Sequence, residues 1–316
     1  MDGILVIDKP AGWTSHDVVA RVRRILRERR VGHTGTLDPF ATGVLIVLVG
    51  RATRLAQFLA GAEKEYAATV RFGYATDTGD LTGAPRLAEG EHVQPCAAWS
   101  DAEIEAACAR LRGEIEQVPP MYSAKKIAGR KLYELARQGV EVERQAVRVV
   151  VRELEALPGY GALLTRHEDG MCELRVRVVC SAGTYVRTLA ESIGENLGTG
   201  AHLSALRRTR AGDFRLADAV SLERLNEMVE AGRVAEALFP LNAALPELPT
   251  LHLTEQDARR VRHGAAVQLE AGAARWADGA RVKFCDGTGL LLAVGVYDAG
   301  RMQLRPRVLL VAENKG

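Results

Sequence analysis

Two periodicities divide the chain. Apolar residues recur at helical spacing in "SHDVVARVRRILRER", with Ser15 placed to cap the start and arginines on the opposite face. The same period predicts helices in "RATRLAQFLAG", in "SDAEIEAACARLRGEI" and in "TYVRTLAESIGENLG". The second of these opens on a Ser100/Glu103 capping box, and the third stops at Gly198. A shorter helix in "KLYELARQG" ends at Gly139. Alternating or wholly apolar runs predict strands in "GILVIDKPAG", "GVLIVLVG", "KEYAATVRFGY", "AVRVVVRELEAL" and "ELRVRVVCSAG", the last with arginines on one face. After residue 240 the texture changes. "LNAALPELPTLHLT" has two prolines and little periodicity, as a linker would, and glycine-punctuated strands follow in "RVKFCDGTG", "LLLAVGVYD" and "MQLRPRVLLV". The pattern predicts a larger α+β domain over residues 1–243 and a small β-barrel-type module over 244–316.

Composition adds two things. At 47% hydrophobic and 26% charged, the 316 residues suffice for a sizeable core. The net charge of +2 conceals 35 arginines against 7 lysines, and "RVRRILRERR" (21–30) concentrates six of them with one glutamate. Arginine's planar fork suits phosphate, although a solvated helix face has the same look. The five scattered cysteines show no CxxC pair and no metal-ligand spacing, so reduced thiols in a cytoplasmic protein are expected. "MDGILVIDKP" has no signal-peptide pattern, and no run of about 18 apolar residues predicts a membrane span.

Missing motifs narrow the chemistry. The sequence has no GxxxxGK[ST], no HExxH, no HxE…PCxxC, and no GxGxxG opening a βαβ unit. Catalysis by side chains alone, with no cofactor and no metal, is the expectation. The candidate acid is Asp38 in "VGHTGTLDPFATGVL". At neutral pH it is a carboxylate able to act as nucleophile or base. Glycines 32, 35 and 43 allow sharp turns and close approach, and Pro39 fixes the chain after the acid. A loop acid that only caps or meets solvent fits the same residues, so both readings stand at this point.

"GHTGTLDPFATGVL" closely resembles the catalytic motif of the TruB family of tRNA pseudouridine synthases, in which the aspartate is essential. Collinear matches are "DKPAGWTSHDVV", "EKEYAATVRFG", "TDTGD", "PPMYSAKKIAGRKLYELARQG", "CSAGTYVRTLAESIG" and "HLSALRRTRAGDF", followed by a tail resembling the PUA RNA-binding domain. The resemblance implies an α+β pseudouridine-synthase fold: a mixed, largely antiparallel central sheet with flanking helices, an RNA-clamping insertion at about 113–145, and a PUA-like β-barrel. It also implies isomerisation of the T-loop uridine at tRNA position 55, with the target base flipped out. The partner is then the T-stem-loop of tRNA, with neither a membrane nor an obligatory protein partner.

The same resemblance assigns roles. Asp38 is the catalytic carboxylate, acting on the ring, on the sugar C1′ or as a base on the ribose; the residues do not separate these routes. Arg187 pairs with Asp38 and Tyr185 lies near C5 of the base. Tyr66 stacks on the flipped base and Leu206 lines the uracil pocket. His33 serves T-loop binding and flipping, Asp80 contacts the base, and Lys9 supports the site or substrate. The 21–30 helix and "YSAKKIAGRK" offer cations to RNA phosphates. Two rivals accompany this reading: a tRNA-folding factor that needs no catalysis, and a guide-RNA-dependent relative within a ribonucleoprotein. The intact Asp38–Tyr66–Arg187 set argues against the first, and the absence of a basic tail against the second.

Overall fold

The computed structural model describes residues 1–316 apart from 88–92, 94, 95, 124, 128, 137, 141, 160, 161, 270–275 and 312–316, and apart from the side chains of Lys126, Ile127, Lys131 and Tyr133. The sequence expectations for "YSAKKIAGRK" at residues 124 and 128, and for its Lys126 and Lys131 side chains, therefore lie outside the described residues.

A mixed sheet forms the centre. Its strands run Gly3–Lys9, Thr42–Val49, Ala201–Ala211, Lys64–Phe72, Cys172–Cys180, Val147–Leu157 and Gly113–Gln117 from edge to edge. Every neighbouring pair is antiparallel except Ala201–Ala211 on Thr42–Val49, which is parallel. Val31–Thr34 pairs antiparallel with Thr42–Val49, so the segment between them, which carries Asp38, is the loop that joins the two strands.

Burial explains the pattern of the Thr42–Val49 strand. Leu45, Val47 and Val49 pack with Val18, Val22 and Ile25 of the Ser15–Leu26 helix and with Leu225 of the Leu222–Glu230 helix. Val44, Ile46 and Leu48 face the other way, into a cluster with Cys285, Leu291, Val294 and Leu310 of the C-terminal segment. A strand covered on both faces reads as an unbroken apolar run, and this one does. The Lys64–Phe72 strand alternates instead: Tyr66, Ala68, Val70 and Phe72 join a core with Leu189 and Ile193 of the Val186–Asn196 helix and Ile104 of the Asp101–Ala109 helix.

The C-terminal part is a curled five-stranded sheet, half of a barrel, in the order Thr250–His252, Arg281–Cys285, Leu291–Asp298, Gln303–Leu309, Val267–Gln268. The proline-containing stretch before it is not a free tether. It includes a 3-10 turn at Leu241–Ala244, and Leu245 is buried in the cluster that joins the two sheets. Among the described residues no helix is long and apolar enough to cross a membrane.

Three expectations need correction. Thr14, not Ser15, caps the first helix: its hydroxyl accepts from Asp17 N, and the Asp17 carboxylate accepts from the Thr14 N–H, a reciprocal box that Ser15 is one residue too late to make. The "RATRLAQFLAG" helix is a 3-10 segment, Gly50–Leu55, followed by the short helix Ala56–Leu59. Reduced thiols hold for Cys108, Cys180 and Cys285, but Cys96 and Cys172 form a disulfide. The sequence spacing of 76 residues hid this pair; Cys96 N donates to Gly170 O, and that contact brings the two Cα atoms to 5.7 Å, within disulfide reach.

Candidate active site

Three buried side chains hold the Asp38 loop from different elements. The Ser15 hydroxyl, freed from capping, accepts from Leu37 N at 2.9 Å and donates to Leu37 O at 3.2 Å. The Lys9 ammonium, fully buried, donates to the carbonyls of Pro10 (2.9 Å), Trp13 (2.7 Å) and Pro39 (3.1 Å). Burial holds its pKa down at about 8. From beneath, Arg208 donates to Val44 O at 2.6 Å and Gly35 O at 3.0 Å. Gly43, at φ 98°, lies so close that a Cβ there would stand 2.2 Å from Arg208 O, so only glycine fits.

Asp38 then meets Arg187 in a two-point pair. Arg187 Nε lies 2.9 Å from Oδ2, and Nη2 donates to Oδ1 at 3.1 Å. Arg187 is the second residue of its helix, and its remaining donors go to Thr78 O (2.8 Å) and Tyr122 O (2.7 Å). Four of its five N–H groups therefore have partners, and these hold its plane in one orientation. Asp80 braces this arrangement from the far side: its Oδ2 is 4.0 Å from Arg187 Nη1, while Oδ1 accepts from the Thr78 hydroxyl and Thr82 N, each at 2.9 Å. Asp77 instead accepts from Ala84 N and closes the neighbouring turn. Desolvation pushes the Asp38 pKa above its ordinary 3.8; Arg187 and Lys9 oppose the rise, and the charge of Asp80 adds to it. Arg187 fixes the direction of the carboxylate, while the net shift of Asp38 runs toward the protonated form.

A cavity of about 230 Å³ opens on the pair. It gathers Asp38, Tyr66, Leu206 and the Tyr185/Arg187 helix start from four separate segments. Tyr66 is 9% exposed, and burial raises the pKa of its phenol while neighbouring Arg208 opposes that shift. Tyr185 precedes the Arg187 helix, and its backbone is gripped by Gln117, which accepts from Tyr185 N at 3.0 Å and donates to Tyr185 O at 3.3 Å.

Lys9, His33 and Asp80 do not line this cavity. Lys9 and Asp80 act on the loops behind it. His33 sits on the Val31–Thr34 strand, edge-on to His16 with ring centroids 5.3 Å apart. Its Nδ1 is buried without a hydrogen-bond partner, and burial, with His16 and Arg208 nearby, holds its pKa down at about 4, so the ring is neutral at pH 7.

Sequence reasoning missed four residues. Ser15 was read as a cap, while Gln117, Lys64 and Arg208 drew no assignment. Lys64 lines the cavity, donates to Ala60 O at 2.9 Å and is held by burial at a pKa of about 8. For Gln117, Lys64 and Arg208 the one signal is a polar side chain at an inward position of a strand. Among the described residues no cluster of His, Cys, Asp and Glu side chains gathers to hold a metal.

Residues 23–186 match the TruB family pseudouridylate synthase N-terminal domain, and residues 187–246 match the tRNA pseudouridylate synthase B C-terminal domain. The tRNA pseudouridine synthase B of Geobacillus thermodenitrificans is 48% identical over 274 residues, 86% of this chain and 87% of that protein. That of Bacillus pumilus is 39% identical over 315 residues, 100% of this chain and 99% of that one. Among solved structures, a Cbf5-Nop10-Gar1 complex contains a chain with a TM-score of 0.72 and 27% identity, covering 99% of this chain and 86% of that one. An H/ACA RNP bound to a substrate RNA containing 2′-deoxyuridine gives 0.71 and 26%, with the same coverage.

Proposed function

The chain belongs to the TruB family of pseudouridylate synthases, and from that premise we propose that it isomerises the uridine at position 55 in the T-loop of tRNA. The carrying observation is the two-point Asp38–Arg187 pair at the mouth of a cavity walled by Tyr66 and Leu206.

The target uridine leaves the folded loop, at a cost of a few kcal/mol. Its base stacks on Tyr66, which returns about 1–3 kcal/mol, with Leu206 on the cavity wall. Asp38 acts as the carboxylate, held in one orientation by Arg187, so its negative oxygen needs no reorganisation during the reaction. The N1–C1′ bond breaks, the base turns, and C5 bonds to C1′. N1 gains a proton and C5 loses one, so uridine and product are isomers and no co-reactant is consumed. To Tyr185, which lines the cavity, we assign removal of the C5 proton. To His33 we assign T-loop binding and flipping, to Asp80 a contact to the base, and to Lys9 the support of the Asp38 loop. We assign this chemistry to residues 1–243, with a clamp at about 113–145, and RNA grip to a PUA-like unit over 244–316.

The test is tritium release from unmodified tRNA carrying [5-³H]uridine, with the protein and its Asp38→Asn variant. Release by the wild type alone is expected, and replacing the position-55 uridine by cytidine should remove it. Intact tRNA binding with no release from either protein would instead favour a folding factor.

A further inference from the structure

Beside the Asp38 loop lies a groove of about 290 Å³ that the proposed reaction leaves unused. Trp13 forms one side, and Asp17, Ala20, Arg21 and Arg24 of the Ser15–Leu26 helix form the other. The Trp13 indole is 37% exposed. Arg21 and Arg24 are three residues apart, so both guanidinium groups lie on one helix face. Among the described residues neither forms an ion pair or side-chain hydrogen bond; Glu223 feels Arg21 only through space. Several other arginines are neutralised by contact: Arg112 with Glu105 at 2.6 Å, Arg177 with Glu65 at 3.1 Å, Arg210 with Glu63 at 2.8 Å. The one acid in the groove, Asp17, is committed to the helix cap, accepting from Thr14 N at 2.9 Å and the Thr14 hydroxyl at 2.6 Å.

The groove is tied to the reacting centre. Lys9 Nζ bridges the carbonyls of Trp13 and Pro39, and Gly12 N donates to Pro39 O at 2.8 Å. Pro39 directly follows Asp38, so the groove rim is hydrogen-bonded to the loop that carries the acid. An exposed aromatic face with two uncommitted guanidinium groups fits a base and its phosphates. A peptide partner would have to supply an aromatic-stacking group and two anions at the same spacing.

We infer that this groove binds an unpaired nucleotide flanking the target uridine, its base stacked on Trp13 and its phosphates held by Arg21 and Arg24. The inference rests on the RNA-modifying reading above and extends it to a second recognition point.

The experiment measures the affinity of the full-length protein for unmodified tRNA across a salt series, with intrinsic fluorescence recorded in parallel. Trp13→Ala should weaken binding about tenfold and Trp13→Phe far less, because a phenyl ring still stacks. RNA should quench the wild-type emission more than that of Trp13→Phe. The double variant Arg21→Ala/Arg24→Ala should lower the slope of log affinity against log salt by about 1.4, about 0.7 for each phosphate on a single strand. Wild-type affinity and salt slope in all the variants of an active enzyme would overturn the inference. Altered binding by the variants of a protein that releases no tritium would keep the groove and overturn the reaction instead.

Discussion

Asp38 shows how activity and stability separate at one residue. Its pKa is raised, so the folded protein binds more protons than the unfolded chain between the ordinary 3.8 and the raised value. Ionising it therefore costs stability as pH rises through that window, and the cost is relieved as pH falls. On the proposed mechanism activity runs the other way, since that mechanism uses the carboxylate. The acid limb of kcat/KM should lie above the ordinary aspartate range while the fold persists across it, which circular dichroism at each pH would check. Arg187→Gln removes the charge that opposes the rise. Its acid limb should move to higher pH and its turnover fall at least about a hundredfold. An unmoved limb would show that another group titrates. The cysteines give a second residue-scale test. A thiol count on the denatured protein should give three without reductant, for Cys108, Cys180 and Cys285, and two more after reduction.

At the level of elements, the start of the Ser15–Leu26 helix does two jobs with adjacent residues. Thr14 caps the helix toward solvent, whereas Ser15 is 1% exposed and ties the helix to Leu37. Thr14→Ala should cost about 1 kcal/mol in denaturant titration and leave kcat alone. Ser15→Ala leaves a buried Leu37 N–H without its partner, so it should cost about 1–3 kcal/mol and lower kcat with little change in KM. Equal effects of the two substitutions on kcat would remove Ser15 from the support of the loop. The helix was legible because its apolar period is regular. The job of Ser15 was not, because its partner is 22 residues away along the chain.

Across the whole molecule, the two sheets share one apolar cluster. Ile4, Val44 and Ile46 from the central sheet meet Leu291, Val294 and Leu310 from the C-terminal one, with Leu245 packed between the elements. Arg54 of the first part also donates to Leu309 O of the last at 2.6 Å. Deleting residues 250–316 would expose that cluster to water, at roughly 25 cal/mol per Å² of apolar surface. The shortened chain should unfold at a lower temperature than the full protein in calorimetry. The full chain should show one main transition rather than two.

The sequence by itself determined the apolar runs, most of the strands, the Ser100/Glu103 cap and the single acid worth suspecting, because each follows from spacing within a few residues. Family resemblance then attached Tyr66, Tyr185, Arg187 and Leu206 to that acid. Only the tertiary structure decided how these residues meet. The parallel pairing of Ala201–Ala211 with Thr42–Val49 carries Leu206 and Arg208 to the loop from more than 160 residues away, and the helix at Val186 brings Arg187 across 149. It also decided which polar residues work from behind: Lys9, Ser15 and Arg208 are buried by packing from several elements, and no local window records that burial. The direction of the Asp38 shift has the same origin. Desolvation depends on everything that surrounds the carboxylate, whereas the sequence shows only what precedes and follows it.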